Sequence, residues 1–118
     1  MKKMRLLLHV SDNERWSVAL GNAVNFVKDV GEDHADVVIV ANGTAPASYA
    51  YSDKVETMEV LADKGVQFIA CRNSLKKLCA GGSVCINENA LPAFVKVVPA
   101  GIGELVSKQQ EGYAYVKP

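Results

Sequence analysis

The chain has 118 residues, 49% of them apolar and 22% charged, with nine glycines and four prolines, which excludes disordered, collagen-like and low-complexity classes. Lys plus Arg and Asp plus Glu each number 13, so the formal net charge is zero and the basic footprint of a nucleic-acid binder is missing. A single domain of this length buries roughly two-thirds of its unfolded surface, enough for a core without staples. A surface so near neutrality resists self-association poorly, which favours an oligomer.

No apolar tract reaches the length of a membrane span. The opening Met1-Lys2-Lys3 imitates the start of a signal peptide. The run Leu6-Leu7-Leu8, however, stops at His9 and passes into Ser11-Asp12-Asn13-Glu14-Arg15, with no small-residue cleavage site. The three cysteines, Cys71, Cys79 and Cys85, are odd in number and clustered, unlike an extracellular disulfide framework. These features predict a cytoplasmic chain with reduced thiols.

Two periods alternate along the sequence. Met4–Val10 has strand length, and Ser11-Asp12-Asn13-Glu14 spells a capping box. Trp16, Leu20, Ala23, Val27 and Val30 then mark one face of a helix that Gly31 ends. Val37-Val38-Ile39-Val40-Ala41 suits a parallel strand buried on both faces. A loop at Asn42-Gly43-Thr44-Ala45-Pro46 leads to a second helical stripe of Tyr51, Val55, Met58, Leu61 and Ala62, closed by Gly65. A third strand from Val66 to Ala70 enters Cys71-Arg72-Asn73-Ser74 and a short helix with Leu75, Leu78 and Cys79 inward. Residues 81–92 read as a loop with at most one helical turn. A fourth strand from Phe94 to Val98 precedes Pro99-Ala100-Gly101 and a helix with Ile102, Leu105, Val106 and Gln109 on one face. Gly112 ends it, and Tyr113 to Val116 form a final strand. Five strands alternating with four helices predict one three-layer α/β/α domain over residues 1–118, with a mostly parallel sheet.

Ligands of such sheets bind outside the carboxyl ends of the strands. That edge collects His9, Ser11, Asn42, Gly43, Thr44, Cys71, Arg72, Asn73, Ser74, Pro99, Ala100 and Gly101. The first strand-to-helix turn has no glycine and carries two carboxylates, so a dinucleotide pyrophosphate is disfavoured there. His9 and His34 fall at opposite ends of the sheet, and no Cys-x-x-Cys pair or Gly-x-Ser-x-Gly elbow occurs. No metal site is predicted.

Cys71 ends a buried strand and opens a helix, with Asn73 or Ser74 as the cap. The helix terminus, with Arg72 if it folds over, favours the thiolate, the form that attacks sulfane sulfur. A small buried hydrophobe finishing the strand is the competing reading. Cys79 reads as core and Cys85 as a bystander. His9 is a proton carrier or a donor to a carbonyl. Asn42-Gly43 reads as a turn, Trp16, Tyr49 and Tyr51 as packing residues, and Tyr113 and Tyr115 as edge residues that pack within or between subunits.

The junction Phe68-Ile69-Ala70-Cys71-Arg72-Asn73-Ser74-Leu75 is one recognisable element, and Val38-Ile39-Val40-Ala41-Asn42-Gly43 is another. A third is the tail Val97-Val98-Pro99-Ala100-Gly101-Ile102-Gly103-Glu104-Leu105, with Gln109-Gln110-Glu111-Gly112-Tyr113-Ala114-Tyr115. Together they resemble the DsrE/DsrF-like sulfur-relay family, in its branch of short stand-alone members. The resemblance implies a parallel five-stranded α/β/α fold, homo-oligomers that are trimers or hexamers, and a cysteine after the third strand that carries persulfide sulfur. Cys71 occupies that place. The sulfur-relay branches follow their cysteine with an arginine-rich helix ending in Arg-Gly, whereas this chain has Leu75-Lys76-Lys77-Leu78-Cys79-Ala80-Gly81.

The expectation is thus a small cytoplasmic sulfur carrier that loads Cys71 and passes sulfur to a partner protein. Its pocket would be lined by His9, Asn42, Gly43, Asn73, Ser74, Pro99 and Gly101. No metal, organic cofactor, nucleic acid or membrane is expected to take part. The alternative is an oligomeric binding or assembly protein of the same fold without sulfur chemistry.

Overall fold

The computed structural model describes residues 3–50 and 52–118. The first apolar run becomes β1 (Met4–Val10), and the second lies within β2 (Ala35–Ala41). They are followed by β3 (Gln67–Cys71), β4 (Val95–Val98) and β5 (Ala114–Val116). The connecting helices are α1 (Trp16–Val30), α2 (Val55–Asp63), α3 (Arg72–Ala80) and α4 (Gly101–Gln110). The strands are ordered β4-β3-β2-β1-β5, and every neighbouring pair is parallel. The predicted fold class is the one found, and the single turn in residues 81–92 is a 3-10 turn at Glu88–Ala90. Tyr51, expected on the second helical stripe, lies outside the described residues.

Alternation along the strands sorts the core into two layers. Leu6, Leu8 and Val10 of β1, Val37, Ile39 and Ala41 of β2, and Phe68 and Ala70 of β3 pack against Trp16, Leu20 and Ala23 of α1 and Met58 and Leu61 of α2. Leu7, Val38, Val40, Ile69 and Val98 face the other way, beneath Leu105 of α4 and Tyr113. Burial on both faces is why these strands read as unbroken apolar runs. Trp16 and Tyr49 are packing residues whose polar ends are satisfied. The indole donates to the Ala45 carbonyl at 2.8 Å and the phenol to the Ile69 carbonyl at 3.1 Å.

From β1 to β4 the chain steps across the sheet in one direction, so right-handed crossovers keep α1, α2 and α3 on one face. The return from β4 to β5 crosses the opposite face through α4. Neighbouring β3 and β4 therefore send their helices to opposite faces. At their carboxyl ends, the switch point where ligands of such sheets bind, Cys71 pairs in register with Val98.

Two local expectations are corrected. The capping box does not form, since neither N-cap residue, Asp12 of the turn Asn13–Arg15 nor Arg15 of α1, makes a side-chain cap bond. The Ser11 carbonyl instead accepts from the Thr44 N–H at 3.2 Å, and the Thr44 hydroxyl accepts from the Asn13 N–H at 2.9 Å. The loop after β2 thus caps the helix entry after β1. The α4 stripe is also misassigned: Leu105 is buried, but Ile102 and Val106 are 67% and 49% exposed. Gly101, not Ile102, makes the close contact with the sheet, because the N-terminus of α4 is pressed onto the end of β3.

Candidate functional site

Period two places Leu7 and His9, Val38 and Val40, and Ile69 and Cys71 on the face that α4 covers, with Asn42 following Val40 in the same phase. At the carboxyl edge the apolar rows therefore end in polar groups: His9, Asn42 and Cys71. Gly101 sits among them. A Cβ on Gly101 would meet Cys71 Cβ at 3.3 Å, Val40 Cγ1 at 3.4 Å and Asn42 Cβ at 3.5 Å. The absent side chain lets the backbone of α4 approach the cysteine.

Cys71 is both the last residue of β3 and the N-cap of α3; neither Asn73 nor Ser74 is the cap. No cap hydrogen bond of ordinary geometry closes there. Burial pushes the thiol up, but the Ser74 hydroxyl and the backbone N–H groups of Gly101, Ser74 and Asn73 outweigh it and hold the thiol below its ordinary value. These donors come from the starts of α3 and α4, so two helix N-termini converge on one sulfur. Ser74 is itself oriented: it is 9% exposed, and its Oγ accepts from the Gly43 N–H at 2.9 Å, which leaves its proton for the sulfur. Gly43 holds that pose at φ +60°, where a Cβ would collide with the Ser11 carbonyl oxygen.

Arg72 does not contribute. Its guanidinium is taken by Glu88 through two contacts, Nε to Oε2 at 2.7 Å and an Nη to Oε1 at 3.1 Å. No periodicity pointed to this partner, which stands in the 3-10 turn of the irregular segment. His9 bridges two elements: its Nε2 donates to Asn42 Oδ1 at 2.9 Å, and its Nδ1 accepts from the Tyr115 hydroxyl at 2.6 Å. Asn42 offers only an acceptor at that atom, so Nε2 carries the proton of that bond. Tyr115 is thus tied to His9 at the edge of the sheet, and Tyr113 is buried.

The expected pocket residues divide into groups. Asn42, Gly43 and Ser74 line one cleft of about 470 Å³, together with Thr44, Lys77, Leu78 and Ser83, which sequence reasoning did not assign to it. Gly101 backs the cysteine from the other side, and His9 holds Asn42. Asn73 and Pro99 are exposed and do not line the cleft. Cys71 itself is only 5% exposed and is not part of the cleft wall.

The other cysteines overturn their expectations. Cys79 and Cys85 form a disulfide, and Cys71 is the free thiol. Cys79 is neither core nor reduced: it lies on the exposed flank of α3, one residue beyond buried Leu78. Among the described residues no group of three or more His, Cys, Asp and Glu comes together to hold a metal ion. No helix of the described residues is long and apolar enough to cross a membrane.

Five parallel strands covered by helices on both faces define a three-layer α/β/α protein. The chain belongs to the DsrE/DsrF-like family, whose model matches residues 14–118. Among solved structures it is similar to the protein of unknown function MTH1491 from Methanobacterium thermoautotrophicum. The two share 26% sequence identity with a TM-score of 0.79, and the match covers 100% of each chain. No curated protein matches.

Proposed function

We propose that this chain is a cytoplasmic sulfur carrier that holds sulfane sulfur as a persulfide on Cys71. The observation that carries the reading is the placement of Cys71 at the end of β3 and the start of α3, with the start of α4 at Gly101 packed against it; the lowered thiol accords with that placement. Family membership supports it. The Cys71 thiolate attacks the outer sulfur of a donor R–S–SH. A new S–S bond forms to Cys71, the donor S–S bond breaks, and R–S⁻ leaves with the electron pair. An acceptor thiolate then repeats the exchange on Cys71 and removes the sulfur. The same donors stabilise the thiolate before loading and after unloading. Because the sulfur is covered, each exchange requires the edge at Ser74 and Gly101 to open.

That burial favours a second reading, an oligomeric binding protein without sulfur chemistry, in which Cys71 only finishes the strand. Under either reading we propose a homo-oligomer, a trimer or a hexamer of two trimers. The apolar surface left on Ile102, Val106, Tyr115 and Val116 supports assembly, and light scattering at micromolar concentration tests it. Intact-mass spectrometry after exposure to a sulfane-sulfur donor separates the two functions. A gain of one sulfur that disappears in Cys71→Ser supports the carrier. No gain supports the binding protein, and a gain that persists in Cys71→Ser overturns Cys71 as the carrier.

A further inference from the structure

Cys79 and Cys85 are both exposed, and the disulfide that joins them spans six positions at the C-terminal end of α3. The turn between them is closed by the backbone as well. Gly81 N–H donates to the Lys77 carbonyl at 2.9 Å, Gly82 N–H to Cys79 at 3.1 Å, and Ser83 N–H to Leu78 at 3.1 Å. Gly82 adopts φ +77°, the left-handed conformation such a helix ending needs. These backbone bonds close the turn from Lys77 to Ser83, two residues short of Cys85, alongside the bond between the sulfurs. A second brace, the Arg72–Glu88 ion pair, fixes the following segment at the other end of α3.

We propose that Cys79 and Cys85 are a reversible redox site, exchanged with dithiol reductants and separate from Cys71. A thiolate of the reductant attacks one sulfur of the Cys79–Cys85 bond and displaces the other as a thiolate, giving a mixed disulfide. The second thiol of the reductant then displaces the protein sulfur. The balance is two electrons and two protons: the protein ends with two thiols and the reductant with one disulfide. Exposure gives the reductant access, and the backbone-closed turn keeps the reduced pair ready to close again without a partner chain. The site also borders the cleft beside Cys71, because Ser83 lies inside the loop the bond closes and forms part of the cleft wall.

The test is a thiol count in redox buffers, with trapping by maleimide under native and denaturing conditions. In Cys71→Ser the count is expected to move from none to two on reduction with a dithiol and back to none on reoxidation. Peptide mapping should place both labels on Cys79 and Cys85, the circular dichroism should stay unchanged, and no covalent dimer should form. Because this variant lacks the proposed sulfur-carrying residue, the result stands whether or not the carrier reading holds. A pair that resists dithiol until the chain unfolds, that is already reduced in air, or that reoxidises between chains overturns the proposal. A Cys79→Ser/Cys85→Ser variant checks the turn: native circular dichroism supports it as self-standing, and loss of the fold overturns that.

Discussion

α3 carries a cysteine environment of opposite kind at each of its ends. Cys71 at the N-terminal end is buried, single and surrounded by donors, while Cys79 at the C-terminal end is exposed and oxidised with Cys85. The helix accounts for part of the contrast. Backbone N–H groups at its start favour an anion, whereas at its end the carbonyls of Lys77, Leu78 and Cys79 are taken up by the turn. A thiolate stabilised at the start is suited to attack, whereas Cys79 at the other end is held in a disulfide. The same residue type thus takes on two chemistries within one short helix, and the rest of the fold enforces the division. β3 and β4 bring α4 onto Cys71, and the turn after α3 brings Cys85 onto Cys79.

The largest expected effect comes from breaking the Cys71 end by packing. Gly101→Leu places atoms where Cys71, Val40 and Asn42 already stand, and overpacking of this kind costs about 1–3 kcal/mol. Denaturant unfolding should show that loss, and the thiolate of Cys71 should titrate at higher pH as the Gly101 N–H moves away. The Cys79 end should respond differently. Removing the disulfide with Cys79→Ser/Cys85→Ser is expected to cost about 2 kcal/mol, the value for so short a closed loop. It should leave the Cys71 titration in place.

Ser74→Ala sharpens the comparison further. It deletes the hydroxyl that faces the sulfur and leaves the Gly43 N–H without its partner, a loss of about 1 kcal/mol or more. Its diagnostic readout is a rise in the Cys71 titration midpoint. A related pH effect follows from the depressed folded-state value. Between the folded and unfolded thiol values the unfolded chain binds more protons, so stability rises with pH across that window. It is fully present above the unfolded value and lost as pH falls through the folded one, and Cys71→Ser should flatten the slope. The smallest effect is a deliberate null: Arg72→Ala should leave the Cys71 titration where it is, since the guanidinium is held by Glu88.

The architecture was legible because apolar periodicity is a local property, and so was the place of Cys71, which follows from a buried strand running into a helix. The unread parts all depend on pairings between distant or irregular segments. Glu88 reaches Arg72 from a stretch with no periodicity, and Thr44 caps a turn in another loop. The β1–β5 pairing brings Tyr115 to His9 across 106 positions. Cys79 was misread because α3 is short and buries only a narrow stripe at Leu75 and Leu78, so the position next to Leu78 already faces outward. Ile102 and Val106 were misread for the opposite reason. They have the apolar character of a core face, but the close contact at Gly101 sets the rotation of α4 and turns them to the surface.

The central claim is that the fold stabilises the Cys71 thiolate although the sulfur is covered. The direct measurement is the ultraviolet absorbance of the thiolate as a function of pH in the oxidised wild-type protein, where Cys71 is the free thiol and no reagent has to reach it. The account predicts a transition with a midpoint below the ordinary cysteine value of about 8.5, absent in Cys71→Ser. A midpoint at or above that value would show that burial outweighs the converging donors and would contradict the account.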